Sequence, residues 1–246
     1  MKRFLKLYGI EQKLLFRSGD VFLFNLCMPV MALFLITLIA GDKPAGDSGM
    51  TYLQSAFASL TAVGICCSAF MSIPIIMVDY RDKKILKHFY CSPCSPAVLL
   101  GADTLCCAVM AGLSALLVAG FAAVCFGYRM QGDVPLFFAA WFLTLVSMFS
   151  IGLLIAALCR TVKTMNVVTS LVYFPMLFLS GAMIPYELFP KGLRAVADVM
   201  PLTQGIKLMK AASTGVGLSE MGYAVILLFV ITVLCGVISM KAFRWE

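Results

Sequence analysis

The chain has 246 residues, 62% of them hydrophobic and 13% charged, with a formal net charge of +7 and a mean hydropathy of +0.99. Soluble domains hold roughly 45–50% apolar and about 25% charged residues, so a soluble fold is excluded and an integral membrane protein is expected. The length suits one bundle over residues 1–246 and leaves no room for a second soluble domain. No cleavable signal peptide is expected, because the first apolar run is too long and lacks a small-residue cleavage site. Seven of the ten cysteines (Cys27, Cys66, Cys67, Cys106, Cys107, Cys125 and Cys235) lie inside apolar runs, where a thiol acts as a small hydrophobe. The sixteen methionines read as adaptable core filling in the same way.

Residues 1–20 place Phe4, Leu7, Ile10 (or Glu11) and Leu14 at helical spacing, with Lys2, Arg3, Lys6, Lys13 and Arg17 around them. That pattern predicts a basic amphipathic helix in the membrane interface. Six uncharged runs follow, at about 21–40, 52–78, 97–126, 135–158, 164–186 and 221–240; a hydrocarbon core needs about 20 residues to cross. The expected architecture is therefore all-α with six membrane-spanning helices. Orientation follows from the connections: Arg81, Lys83, Lys84, Lys87, Arg160, Lys163, Lys241 and Arg244 join the basic N-terminal tail on one side and outnumber Lys43, Arg129, Lys191, Arg194, Lys207 and Lys210 on the other. The richer side is cytoplasmic, with both termini inside. Along the third run Ala108, Ala111, Gly112, Ala115 and Ala119 permit close helix approach.

Two connections are informative. The inner one, Asp79–Pro96, carries Ile85, Leu86 and Phe89 on one face of a short helix and Lys83, Lys84, Lys87 and His88 on the other. The pattern alone fits equally a helix neutralising anionic lipid or one docking on a partner subunit. The second stretch, Val172–Lys210, contains Pro175, Gly181, Pro185, Pro190 and Pro201. Each proline removes a backbone donor and clashes with the preceding turn, so the helix is expected to break repeatedly. Such broken backbone at membrane depth is tolerated where it is buried in protein or lines water, and it points toward a transport path. Two short helices are expected at Lys191–Met200 and Leu202–Ser213, against or within the outer leaflet.

The run from Phe178 to Lys210 resembles the fifth-helix and outer-loop signature of ABC type-2 exporter permeases, in which an FxSGxxxPxxxxP pattern precedes a PLT-type turn. The matches are Phe178, Ser180, Gly181, Pro185, Pro190, Pro201, Leu202 and Thr203. The stretch from Lys84 to Leu105 is similar to that family's inner loop. The resemblance implies an N-terminal elbow helix, two short re-entrant outer helices with a turn at Pro190, Pro201, Leu202 and Thr203, and a coupling helix in which Lys84, Ile85, Leu86, His88 and Phe89 meet an ATPase subunit. It also implies a pathway or outer gate at Phe174, Pro175, Phe178, Gly181, Met183 and Pro185. The expected partners are an ABC ATPase subunit, a second copy or related permease chain, and the bilayer, with no nucleic acid. No cofactor is expected on this chain, since ATP and Mg belong to the ATPase.

Other motifs weigh against chemistry on the chain itself. Gly41–Ser48, GDKPAGDS, mimics a phosphate loop but places Asp47 where the phosphate-binding lysine is required. Cys91 and Cys94 have metal-ligand spacing, yet His88 is the single histidine of the sequence, so a reduced thiol pair is expected. Asp103, just inside the third run, is expected near the cytoplasmic face and paired with a basic residue. No nucleophile elbow or HExxH exists, which disfavours a membrane enzyme. The alternative to an exporter subunit, which would be non-catalytic, is a self-sufficient facilitator or ion-coupled carrier. An amphipathic or hydrophobic cargo, drug, peptide or lipid-like, is expected from the Phe, Met and Leu content of the path.

Overall fold

The computed structural model describes residues 2–19, 23–40, 51–84, 96–128, 130–183, 186, 189–215 and 221–242. Ten α-helices account for nearly all of them: α1 (Lys2–Arg17), α2 (Met28–Ala40), α3 (Tyr52–Met71), α4 (Ile73–Asp82), α5 (Pro96–Phe126), α6 (Val134–Leu158), α7 (Val162–Leu179), α8 (Lys191–Val199), α9 (Pro201–Thr214) and α10 (Met221–Ala242). A π-helical turn, Leu23–Cys27, leads directly into α2.

Among the described residues five segments are long and apolar enough to cross a membrane: α3 with α4 as Tyr52–Asp82, then Val98–Phe126, α6, α7 and α10. The first expected span is the shorter apolar segment Leu23–Ile39. At 1.5 Å per residue such a segment reaches about 25 Å, a little short of a hydrocarbon core of about 30 Å.

The α3–α4 rod forms the centre, with 83% of its most apolar window buried, against 11% for α10 at the periphery. Packing follows from side-chain size. From Ala56 to Phe70 every residue of α3 is buried, and ten of those fifteen are Ala, Ser, Thr, Gly or Cys, so helix backbones come close on several sides at once. Gly152 of α6 lies against the Ala69 carbonyl of α3, and Gly205 of α9 lies against Thr144 of α6, each where a Cβ would collide. The small residues of α5 act differently. A Cβ added at Gly112 would meet the Trp141 ring of α6 only at 3.9 Å, an ordinary contact, while the tight α3–α5 approach is Gly64 against Ser114.

Local signals explain the element ends. Thr51 and Gln54 form a reciprocal capping box at the start of α3. Pro74 lacks the N–H that would bond Phe70, and the rod kinks between α3 and α4 at Ser72. At that kink Asn25, fully buried in the π-helical turn, donates to Ser72 Oγ at 3.0 Å and accepts from Ser68 Oγ at 3.1 Å. The Thr161 hydroxyl caps α7 through the Thr164 N–H.

The amphipathic helix α1 forms, with Ile10 and Leu14 exposed and Glu11 and Leu15 buried against the bundle. Two expectations are corrected. Pro175 does not break its helix: α7 runs through it to Leu179. The fifth span therefore ends seven residues before Tyr186, at Ser180 and Gly181, where Gly181 takes φ +80° and supplies the left-handed stop that side chains resist.

The close α3–α6 approach predicts that Gly152→Val lowers thermal stability in detergent by about 1–3 kcal/mol, the usual cost of overpacking. Gly101→Ala, which points into open space, is the matched control, and equal midpoints for the two variants would show that the helices are not in contact there.

Candidate functional site

The broken stretch is a folded hairpin rather than a loose loop. After Gly181, Pro190 precedes α8 and Pro201 opens α9, each where no intrahelical donor is needed. Gly215 closes α9 at φ +77°. The two short helices differ sharply in environment. In α8 only Ala197 is buried, whereas Pro201 to Ile206, Leu208, Met209 and Ala211 to Ser213 are all buried as α9 runs back among α3, α6 and α10. Leu202 and Thr203, carried from the PLT-type turn, are 0% and 1% exposed, and Thr203 Oγ1 donates to the Leu179 carbonyl at 3.4 Å.

A polar knot ties α8 to α9. Asp198 Oδ1 accepts from Tyr186 Oη at 2.7 Å and from Lys207 Nζ at 2.6 Å. Lys207 Nζ also stands 4.2 Å from the centre of the Tyr186 ring, a cation–π contact. Gln204 Nε2 donates to the Asp198 carbonyl at 2.6 Å. Burial works against ionisation of Asp198, but the bonds from Lys207 and Tyr186 outweigh it and hold the carboxyl below its usual range. Burial likewise opposes the charge on Lys207, and the Asp198 bond prevails and raises its ammonium.

Helix α7 has two faces. Met165, Thr169, Tyr173, Met176 and Leu177 turn inward, with the Tyr173 hydroxyl 3.3 Å from Cys67 Sγ of α3. The other face shows Val167, Leu171, Phe174 and Phe178 to the outside of the chain, and Met183 beyond the helix end is also exposed. Phe174, Pro175 and Phe178 thus share an apolar face that ends beside Gly181 and Met183. Pro185 lies outside the described residues.

At the other end of the α3–α4 rod, Arg81 Nη1 donates to the carbonyls of Ala156 at 3.0 Å and Cys159 at 2.9 Å. Those carbonyls close the C-terminal turn of α6, where a cation meets unpaired acceptors and the negative end of the helix dipole. Lys83 pairs with Asp79, and Lys84 ends the helix at φ +57°. Ile85, Leu86, His88, Phe89, Cys91 and Cys94 lie outside the described residues.

Residues 3–213 match the family described as ABC-2 type transporter. The chain belongs to that family. A stretch of 140 residues is also 27% identical to the inner membrane transport permease YhhJ of Escherichia coli K12, and equally to the protein of that name from Shigella flexneri. Each match covers 55% of this chain and 36% of the relative, so the chain spans about a third of those relatives' length. It is a multi-pass transmembrane transporter component.

Two features of the permease were not drawn from its sequence. Asn25 is a single amide inside an apolar run; a buried polar side chain in a membrane is expensive unless a neighbouring helix receives it, which is the signal that marks it. The Tyr186–Asp198–Lys207 knot joins residues 9 to 21 apart whose types are ordinary in an outer loop. Asp103 faces the Glu11 carboxyl of α1, with Tyr80 of α4 donating to Glu11 Oε2 at 2.7 Å; Lys87 and His88 of the neighbouring inner loop lie outside the described residues. Among the described residues no group of three or more His, Cys, Asp or Glu is arranged to hold a metal ion.

The knot makes a testable statement. The side chains of Lys207 and Asp198 are 41% and 40% exposed, so the pair is worth only about 0.2–1 kcal/mol. The Asp198 share is present above the ordinary carboxylate value and is lost as pH falls through its lower folded value. The Lys207 share is present below the ordinary lysine value and is lost as pH rises through its higher folded value. With ordinary values near 3.9 and 10.4, the link is whole between pH 6 and 8. A cysteine at Ala197, buried under α8 in a background without native cysteines, should react with a maleimide roughly two- to fivefold faster in Asp198→Asn than in its parent, by the same factor at pH 6 and 8. Equal rates would mean that the knot does not hold α8 down.

Proposed function

We propose that the chain is the permease subunit of an ATP-driven exporter, paired with a second permease chain and energised by a separate ATP-binding cassette ATPase that carries ATP and Mg. The observation that supports this best is the hairpin between α7 and α10. One broken segment puts α9 deep in the bundle beside the α3–α4 rod, while α7 keeps the apolar face of Leu171, Phe174 and Phe178 outside the chain. A face of that composition suits the wall of a path completed by a second permease chain, with Phe174, Phe178 and Met183 narrowing its outer end. It also suits a hydrophobic or amphipathic cargo. In this reading Gly181 and Pro185 are the turn of the outer gate, Pro190, Pro201, Leu202 and Thr203 shape the re-entrant turn, and both termini are cytoplasmic.

The cytoplasmic input enters through the segment after Lys84. Its apolar anchors Ile85, Leu86 and Phe89 seat in the ATPase, while Lys84 and His88 flank them. Arg81, bonded to the end of α6, would pass displacement of that segment to two spans at once. Hydrolysis belongs to the partner, since the phosphate-loop mimic at Gly41–Ser48 lacks its lysine.

The test separates docking from lipid attraction and from the carrier alternative. Affinity-tagged chain should co-purify an ATP-hydrolysing subunit. Leu86→Ala with Phe89→Ala should release it, because anchors at an interface centre cost about 2 kcal/mol or more each. Changing Lys83, Lys84 and Lys87 together to Gln should leave it bound. Retention after the apolar change with loss after the lysine change would contradict the coupling role, and transport by the chain alone in liposomes would contradict the exporter reading.

A further inference from the structure

A cavity of about 470 Å³ opens at the cytoplasmic end of the bundle, between α1, the π-helical turn and the α3–α4 kink. Its volume lies within the range of about 300–1,000 Å³ usual for small-molecule sites. Leu14, Phe24 and Ile75 belong to its largely apolar wall, while Glu11, Asp79 and Tyr80 give it a polar end. No Lys, Arg or His is among the described residues that line it, on a chain whose net charge is +7. The two lining carboxylates differ. Asp79 already has a cation, since Lys83 Nζ lies 2.8 Å away. Glu11 is 7% exposed, takes one bond from the neutral Tyr80 hydroxyl, and has no ion pair among the described residues.

Behind Glu11, Asp103 is 2% exposed and its carboxyl stands against that of Glu11. Glu11 therefore lines an apolar cavity with Asp103 behind it, and among the described residues no basic side chain is paired with either. Burying such charge is costly unless it is neutralised or paired, and no described residue lining the cavity offers Glu11 a counter-charge. We infer that this cavity is a binding site for an amphipathic ammonium, the charged nitrogen on Glu11 and an alkyl chain along Leu14, Phe24 and Ile75. The site stands apart from the α7 face, and its existence does not depend on whether the chain exports.

The ammonium could be carried by a free alkylamine or by an ethanolamine lipid. The probe is tritiated dodecylamine, binding to the full chain in phosphatidylcholine nanodiscs, with empty discs subtracted. Saturable binding is expected, displaced by unlabelled dodecylamine and not by dodecanol, which keeps the chain and lacks the charge. Glu11→Gln should weaken it at least tenfold. Ile75→Trp, which fills the cavity without touching Glu11, should do the same and keeps the test open if the first variant fails to fold. Adding phosphatidylethanolamine to the discs separates the sources: competition names the lipid ammonium, and its absence names the free amine, each consistent with the site. Displacement by dodecanol as effective as by dodecylamine, binding by Glu11→Gln within twofold of the parent, or no saturable binding would overturn the inference, the last leaving the two carboxyls to share a proton.

Discussion

The arrangement depends on how closely helices pack around α3. In lipid, apolar side chains gain little from touching one another instead of solvent, so helices associate through van der Waals fit and interhelical hydrogen bonds. The α3 sequence supplies both. Its small residues let α5 and α6 approach, and Asn25 bonds to Ser68 and Ser72 where Pro74 has loosened the rod. The bridge holds the rod at Ser72 from the short apolar segment Leu23–Ile39.

From that fixed point the rod reaches both ends of the molecule. Toward Tyr52 it packs on α9, the buried arm of the hairpin, and through Cys67 on Tyr173 of α7. Toward Asp82 it carries Arg81, which binds the end of α6. A displacement at the Asp82 end has a continuous packed route to the hairpin, made of one kinked helix and its clamps. In the proposed mechanism that route carries the stroke of the partner ATPase. The knot of Tyr186, Asp198 and Lys207 then sets how far α8 follows α9.

Much of this was legible in the amino-acid order because lipid imposes a strong length and composition rule. The spans at 97–126 and 135–158 match helices Pro96–Phe126 and Val134–Leu158 within one residue at either end, and the two outer helices match within one. Gly181, Pro190 and Pro201 act as stops or starts in keeping with their backbone chemistry. Pro175 does not, since a missing N–H weakens a helix without dictating that it end there, and Gly181 sets the boundary instead. Which of Ile10 and Glu11 is buried was open in the sequence, because the two share a turn and only the partner helix decides. The neighbour of Asp103 was hidden for a related reason: from the chain alone a buried carboxylate calls for a cation, and the fold also brings it the Glu11 carboxyl.

The central claim is that the Asn25 bridge fixes the kink, and a double-mutant cycle tests it most directly. Asn25→Val, Ser72→Ala and the double variant are compared by reversible unfolding in mixed micelles. Interhelical hydrogen bonds in membranes average about 0.6 kcal/mol and reach about 1.7, so the two single losses should exceed the double loss by about 0.5–1.5 kcal/mol. Additive losses would show that the two side chains act independently, leaving Pro74 alone to set the kink.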